Sequence, residues 1–317
     1  MNFSKKQCGQ LLLSTAVSVI LSCSVWAAKP EPTPTWTDPI LAAKEHDSFK
    51  YMGEYTKANQ ALQVNPDGNQ FYVAIYQGGL PGAGWDNKSA EYKRLSKQQL
   101  KQLLIGFDKV DRGVLSASYP APEDAQIIFD GKKSPILNGK VVDELLLAGA
   151  LINDDFTDFH LHAEFRTPYK PARPVGNADR GNSGFYLLKR YEVQIMDCFA
   201  LPYSESVWKK QNFTMASPAS CNGAIYKVNA PLINMSLPPL TWQSYDIHFT
   251  AARFADDKKI ANARISVIHN GLKIHDDVEI QKGTGSQSKK EELSKGPIYM
   301  QNHHNPVQYR NIWLVKH

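Results

Sequence analysis

The sequence predicts a mainly β protein, a two-sheet β-sandwich or jelly roll preceded by a small accessory segment. Three observations predict it. From Ala125 onward, short runs such as "AQIIFDG", "FHLHAEFRT", "SGFYLLK", "YEVQIMD" and "YRNIWLVKH" follow one another. Each is rich in β-branched and aromatic residues and bounded by turn formers. Almost no helical periodicity separates them, so sheet must cover sheet. Finally, "VIHNGLKIHD" sets Asn270-Gly271 between two alternating runs, the pattern of a type I′ hairpin.

Taken in order, Lys5 and Lys6 precede the apolar run Leu11–Leu21, which is too short to span a bilayer, and small residues follow at Val25–Ala27. Residues 1–28 therefore read as an export signal, giving a periplasmic or extracellular protein. "ILSC" offers a second option, a lipid anchor at Cys23. Residues 29–48 begin with "KPEPTPTWTDP" and read as a Pro-rich linker. Residues 49–124 form the accessory segment. There "QFYVAIYQ" is a strand, "GGLPGAGW" a turn or ordered loop, and Leu100, Leu103, Leu104 and Phe107 recur at helical spacing. The glycine-rich loop lacks the GK[ST] that a phosphate cradle needs. Residues 125–317 make the sandwich, in which Asp143–Leu151 suits either a short helix or a strand. No later segment is transmembrane.

Without Lys5 and Lys6 the net charge falls from +5 to +3, too small a bias for a nucleic-acid partner. Past the signal only Cys198 and Cys221 remain. In an exported chain an even pair suggests a disulfide, which would stabilise by roughly 3 kcal/mol.

Alternate strand residues share a face. In "YEVQIM", Tyr191, Val193 and Ile195 take one face while Glu192, Gln194 and Met196 take the other. In "HLHAEFR", Leu161, Ala163 and Phe165 point inward, and His160, His162, Glu164 and Arg166 form a polar row. Were the two strands neighbours, the rows would form one wall. A solvated face is the plain alternative for each row. His160-x-His162 could seat a metal, although no third ligand is matched to it. Asp197 closes its strand beside Cys198. "QNHHNP" sets His303 in a loop after a strand, where a hydrated turn is the plain alternative. Ser183 in "GNSG" is not a nucleophile elbow.

Taken together, "IIFDGK", "FHLHAEFR", "GNSGFYL", "YEVQIMD", "GAIYKVNAPLIN", "WQSYDIHFTAARF", "HNG" and "GPIYMQNHHNPVQYRNIWL" resemble the 3-keto-disaccharide hydrolase family, in order, over residues 125–317. The amino-terminal "GGLPGAGWD" is similar to the accessory segment of some members. The resemblance implies a concanavalin A-like jelly roll with a polar sugar-binding face. It also implies activity on glycosides oxidised at carbon 3, by proton removal at C2, elimination and hydration. The family usually has other residues at His160 and His162. Carried over by position, Glu192, Asp197 and His303 are the acid–base candidates. Glu164, Asn182, Gln194, Tyr226, Lys227, Gln301 and Arg310 are the substrate-binding candidates. No cofactor is required, although a divalent metal could steady an enolate at the carboxylates. A non-catalytic carbohydrate-binding module is the competing expectation, and it would rest on Trp208, Trp242 and the tyrosines.

Overall fold

The computed structural model describes residues 33–114 and 118–317. The expected export signal and Cys23 lie outside the described residues. Within them, every paired strand runs antiparallel to its neighbours, and alternation sets which face each presents. One sheet orders Tyr191–Ile195, Ser183–Leu187, Gly296–Met300, Leu151–Phe156 and Leu137–Asn138. The larger sheet orders Leu272–Ile280, Ala263–His269, Gln243–Thr250, Phe159–Arg166, Gln308–Lys316, Leu145–Leu147 and Val141–Val142, with Gln126–Phe129 also paired to Gln308–Lys316.

The inward sets of both sheets meet in one core. Phe185, Val193, Ile195, Ile298 and Met300 come from the first sheet; Leu161, Ala163, Phe165, Ile247, Ile265 and Leu314 come from the second. Each such large side chain taken from water stabilises by about 1.5–3 kcal/mol, which is what fixes the register of every strand here. The molecule is thus the expected β-sandwich. The hairpin forms where Asn270-Gly271 placed it, with φ of 49° and 80° at the two turn residues.

Three local points left to the structure are decided as follows. The two polar rows do not form one wall. Phe159–Arg166 lies in the larger sheet and Tyr191–Ile195 in the smaller one, so rows pointing away from a shared core face opposite sides of the molecule. "AIYKV", whose apolar and aromatic composition suits a strand, is a turn. Ile225 bridges to Asn229 across it, and Lys227 takes a left-handed φ of 59°. The ambiguous Asp143–Leu151 stretch resolves to the strand Leu145–Leu147, whose Leu146 is buried in the core.

The amino-terminal part builds a further sheet in the order Ala90–Leu95, Gln70–Gln77, Gln60–Asp67, Gly53–Lys57 and Asp108–Val110. Its helix Lys97–Leu103 begins with a Ser96/Gln99 capping box and buries Leu100. Before that sheet, Pro39–Glu45 is a helix capped by Asp38, and Trp36 bridges to Tyr169. Docking to the sandwich is specific. Arg180, fully buried, donates to the Pro66 carbonyl at 3.0 Å and to Asn65 Oδ1 at 2.8 Å.

Candidate active site

The outward side chains of Tyr191–Ile195 are covered rather than solvated. The segment after Cys221 runs along the outer edge of that strand. Gln194 N–H donates to the Ala224 carbonyl at 2.9 Å, and Tyr226 N–H donates to the Glu192 carbonyl at 3.0 Å. A disulfide between Cys198 and Cys221, with Cα atoms 6.0 Å apart, ties the end of the strand to the start of this segment. Along the same edge, Glu192 N–H donates to Thr284 Oγ1 at 2.8 Å, anchoring the start of the 284–287 loop. The result is a cavity of about 320 Å³ over the smaller sheet.

Seven of the residues expected from sequence line this cavity together: Asn182, Glu192, Gln194, Tyr226, Lys227, Gln301 and His303. Glu192 and Gln194 come from one strand, and Asn182 from the approach to its neighbour. Gln301 and His303 follow the third strand, while Tyr226 and Lys227 come from the covering segment. Gln194 donates its side-chain amide to Asn182 Oδ1 at 2.9 Å, which orients both.

Glu192 is 2% exposed, and its Oε2 has no hydrogen-bond partner among the described residues. Burial pushes its carboxyl up to about 7, with the Tyr186 hydroxyl and the Lys227 ammonium pulling the other way. Gln301 Oε1, on the same cavity, is likewise buried without a donor. Buried acceptors left unpaired cost about 1–3 kcal/mol each, a cost that ligand hydroxyls could relieve. A carboxyl poised near neutrality can take a proton and return it.

Two glycines make room for this group. A methyl group on Gly184 would sit 2.8 Å from Glu192 Oε1 and 3.0 Å from the Val193 carbonyl oxygen. One on Gly285 would press into the Tyr226 ring at 2.8 Å.

Three expected residues lie elsewhere. Asp197 is fully buried against Arg180, with Oδ2 accepting at 2.6–2.7 Å, and its Oδ1 accepts from the Phe199 N–H; it does not line the cavity. Glu164 and Arg310 belong to the larger sheet. Arg310 Nε donates to Glu164 at 2.6 Å, Asn311 donates at 2.8 Å, and the guanidinium stacks on Trp242 at 4.1 Å. They form an ion pair on the opposite face, with Glu164 buried and Arg310 partly so, because residue 164 has inverse parity to the core-facing 161, 163 and 165. His160 and His162 both bond Asp246 Oδ1, at 3.1 and 2.9 Å. Among the described residues no group of three or more His, Cys, Asp and Glu side chains is placed to hold a metal. Among the described residues Glu192 is the one carboxylate on the cavity, a thin ligand set for a divalent cation.

A family model for the 3-keto-alpha-glucoside-1,2-lyase-like domain matches residues 82–315. The chain belongs to this family. It is therefore a carbohydrate-active enzyme, and the cavity over the smaller sheet is its candidate active site. Among solved structures, a protein of Parabacteroides distasonis provisionally named a glycosyl hydrolase aligns at 28% identity with a TM-score of 0.50. The alignment covers 62% of this chain and 85% of that one. Another P. distasonis protein of the same provisional name aligns at 15% identity and TM-score 0.45, over 65% of this chain and 99% of that one. No curated protein matches the chain.

Tyr186 was missed by sequence reasoning. It stands directly opposite Glu192 on the neighbouring strand and lines the same cavity. Parity in "SGFYLLK" puts it on the outward face, yet only the strand register pairs it with the carboxyl. Ser286 and Gly285 arrive from about 90 residues downstream, with no local signal to mark them.

Proposed function

We propose that the protein is an exported enzyme that cleaves the glycosidic bond of 3-keto-glycosides, including 3-keto-disaccharides. The observation that carries this reading is a single buried carboxyl, raised to about 7, in a cavity with no second carboxylate among the described residues. Ordinary glycosidases need two carboxyl groups about 5–10 Å apart across the scissile bond. A ketone at C3 removes that need, because it acidifies the C2 proton enough for one modest base.

Glu192 as carboxylate takes the C2 proton, and the electron pair moves into C2=C3 to give the enolate. The Tyr186 hydroxyl beside Glu192, and Lys227, whose charge reaches Glu192 from the same cavity, are suited to steady the negative oxygen at C3. The enolate then reforms the C3 ketone and expels the glycosidic oxygen from C1 with its bonding pair, leaving a C1=C2 double bond. His303, exposed on the same cavity, is the group suited to protonate that oxygen. Water adds at C1 and gives its proton to His303, while Glu192 returns its own proton to C2, so the net change is hydrolysis. Asn182, Gln194 and Gln301 bind sugar hydroxyls.

The binding-module alternative loses its two tryptophans. Trp208 is buried, and Trp242 is capped by the guanidinium groups of Arg166 and Arg310 at 4.8 and 4.1 Å. Neither offers an open platform for a sugar. Incubation with 3-keto-trehalose and with a 3-keto-glucoside, followed by chromatography of free sugars, tests the proposal. Release by the wild type, lost in Glu192→Gln and strongly reduced in His303→Ala, is expected. Intact sugar binding without any release would sink it.

A further inference from the structure

We propose that the cavity adjoining the active site receives an anionic leaving group, so that the preferred substrate is a 3-keto-glycoside whose aglycone bears a carboxylate or sulfonate-type charge. This rests on the function proposed above and adds the substrate class.

The two cavities share one floor. Strand register sets Glu192 opposite Tyr186, Tyr186 opposite Tyr299, and Tyr299 opposite Leu151, a row crossing four strands on the outward face. Glu192 lies under the reactive pocket. Tyr299 and Leu151 lie under a second cavity of about 610 Å³, and Tyr186, Ser286 and Gln301 wall both. A glycoside whose C2 sits at Glu192 can extend its aglycone along this row and onto the Tyr299 ring.

The second cavity is cationic. Lys189, Arg190 and Lys290 line it, and no Asp or Glu does. None of the three has a carboxylate partner among the described residues. The Arg190 guanidinium donates to the carbonyl oxygens of Glu291 and Lys189, while the nearby Glu292 carboxylate is held by Tyr191 and Lys259. Unbalanced cations in a recess attract an anion more strongly than they would on an open surface.

The turn that presents them is itself costly. Leu188 and Lys189 occupy left-handed φ values of 49° and 53° in a tight turn closed by Arg190 N–H to the Leu187 carbonyl. The relaxed residues for such a turn are those at Asn270-Gly271. Strain retained beside a cavity points to a role for the side chains it displays.

The test compares 3-keto-glucosides of near-identical shape, with 4-carboxyphenyl, 4-sulfophenyl or neutral 4-carbamoylphenyl aglycones. With the wild type at low salt, KM for one or both anionic compounds should lie about fivefold or more below that of the neutral one. In the double variant Lys189→Gln/Lys290→Gln, that ratio should collapse toward one. The carboxylate and sulfonate arms show which anion is preferred. Equal KM for all three compounds in the wild type, with cleavage observed, overturns this inference and leaves the proposed function standing. If no compound is cleaved, calorimetric binding of the unoxidised glucosides decides. Tighter binding of an anionic compound, lost in the double variant, supports an anion subsite without the proposed reaction, and equal binding removes the subsite.

Discussion

Tyr186 and Glu192 face each other across neighbouring antiparallel strands, placing a phenol and a buried carboxyl at one point on the cavity floor. The carboxyl is raised by burial and partly restrained by its hydrogen bond from the phenol. Burial also pushes the phenol well above its ordinary value, which keeps it a hydrogen-bond donor at neutral pH.

Glu192→Gln should lower kcat/KM by about 10²–10⁴-fold. In the wild type, activity should rise with pH through about 7 as the base ionises. Stability should move the opposite way. The folded value lies above the unfolded 4.5, so the neutral carboxyl is accommodated below that pH and ionisation is resisted as pH climbs through 7. Relative to the variant, the wild type should lose about 3 kcal/mol between pH 4 and pH 8. Urea midpoints of both proteins at the two pH values measure this, and parallel midpoints would refute the buried titration.

Tyr186→Phe should reduce kcat more than KM if the hydroxyl acts on the developing enolate. It should also move the rising limb of the pH–rate profile upward, because the hydroxyl helps to hold the Glu192 carboxyl down. A profile with an unchanged midpoint would separate Tyr186 from Glu192.

Gly184→Ala is expected to disturb the same carboxyl from beneath. The added carbon would meet Glu192 Oε1 at 2.8 Å and a rigid carbonyl at 3.0 Å, so the glutamate must turn aside or the strand must bend. A loss of about 1–3 kcal/mol in stability is expected, with at least a tenfold drop in kcat/KM measured on the folded fraction. Wild-type kinetics in a folded G184A protein would show the close approach to be unimportant.

Asp197→Ala should act on folding. It leaves the Arg180 guanidinium fully buried without its carboxylate, a change that costs about 3–5 kcal/mol. Thermal melts should show the loss, while the surviving folded enzyme should keep the wild-type pH–rate midpoint. A shifted midpoint would return Asp197 to the acid–base machinery.

Much of this was legible locally. The parity of "YEVQIMD" alone put Glu192 and Gln194 on one face, and the structure places both on the cavity. Asn270-Gly271 announced its hairpin because a type I′ turn needs two left-handed residues. The pairing of Cys198 with Cys221 followed from there being no other cysteine past the expected signal. "AIYKV" has the composition of a strand, yet Ile225 and Asn229 bond to each other across Tyr226–Val228 and fold it into a turn.

What the sequence by itself determined is the alternation of each strand, and so which side chains leave the core. It could not say which sheet a strand joins. Pairing depends on contacts between residues far apart in the chain, and no local pattern encodes them. Only the tertiary structure decided that Glu164 and Arg310 neutralise each other on one face while Glu192 lies on the other. It also decided that Asp197 spends its charge on Arg180, and that Tyr186 stands opposite Glu192. Carboxylates indistinguishable in sequence differ here because burial raises one that lacks a cation at hydrogen-bonding distance, whereas the others are held by arginine.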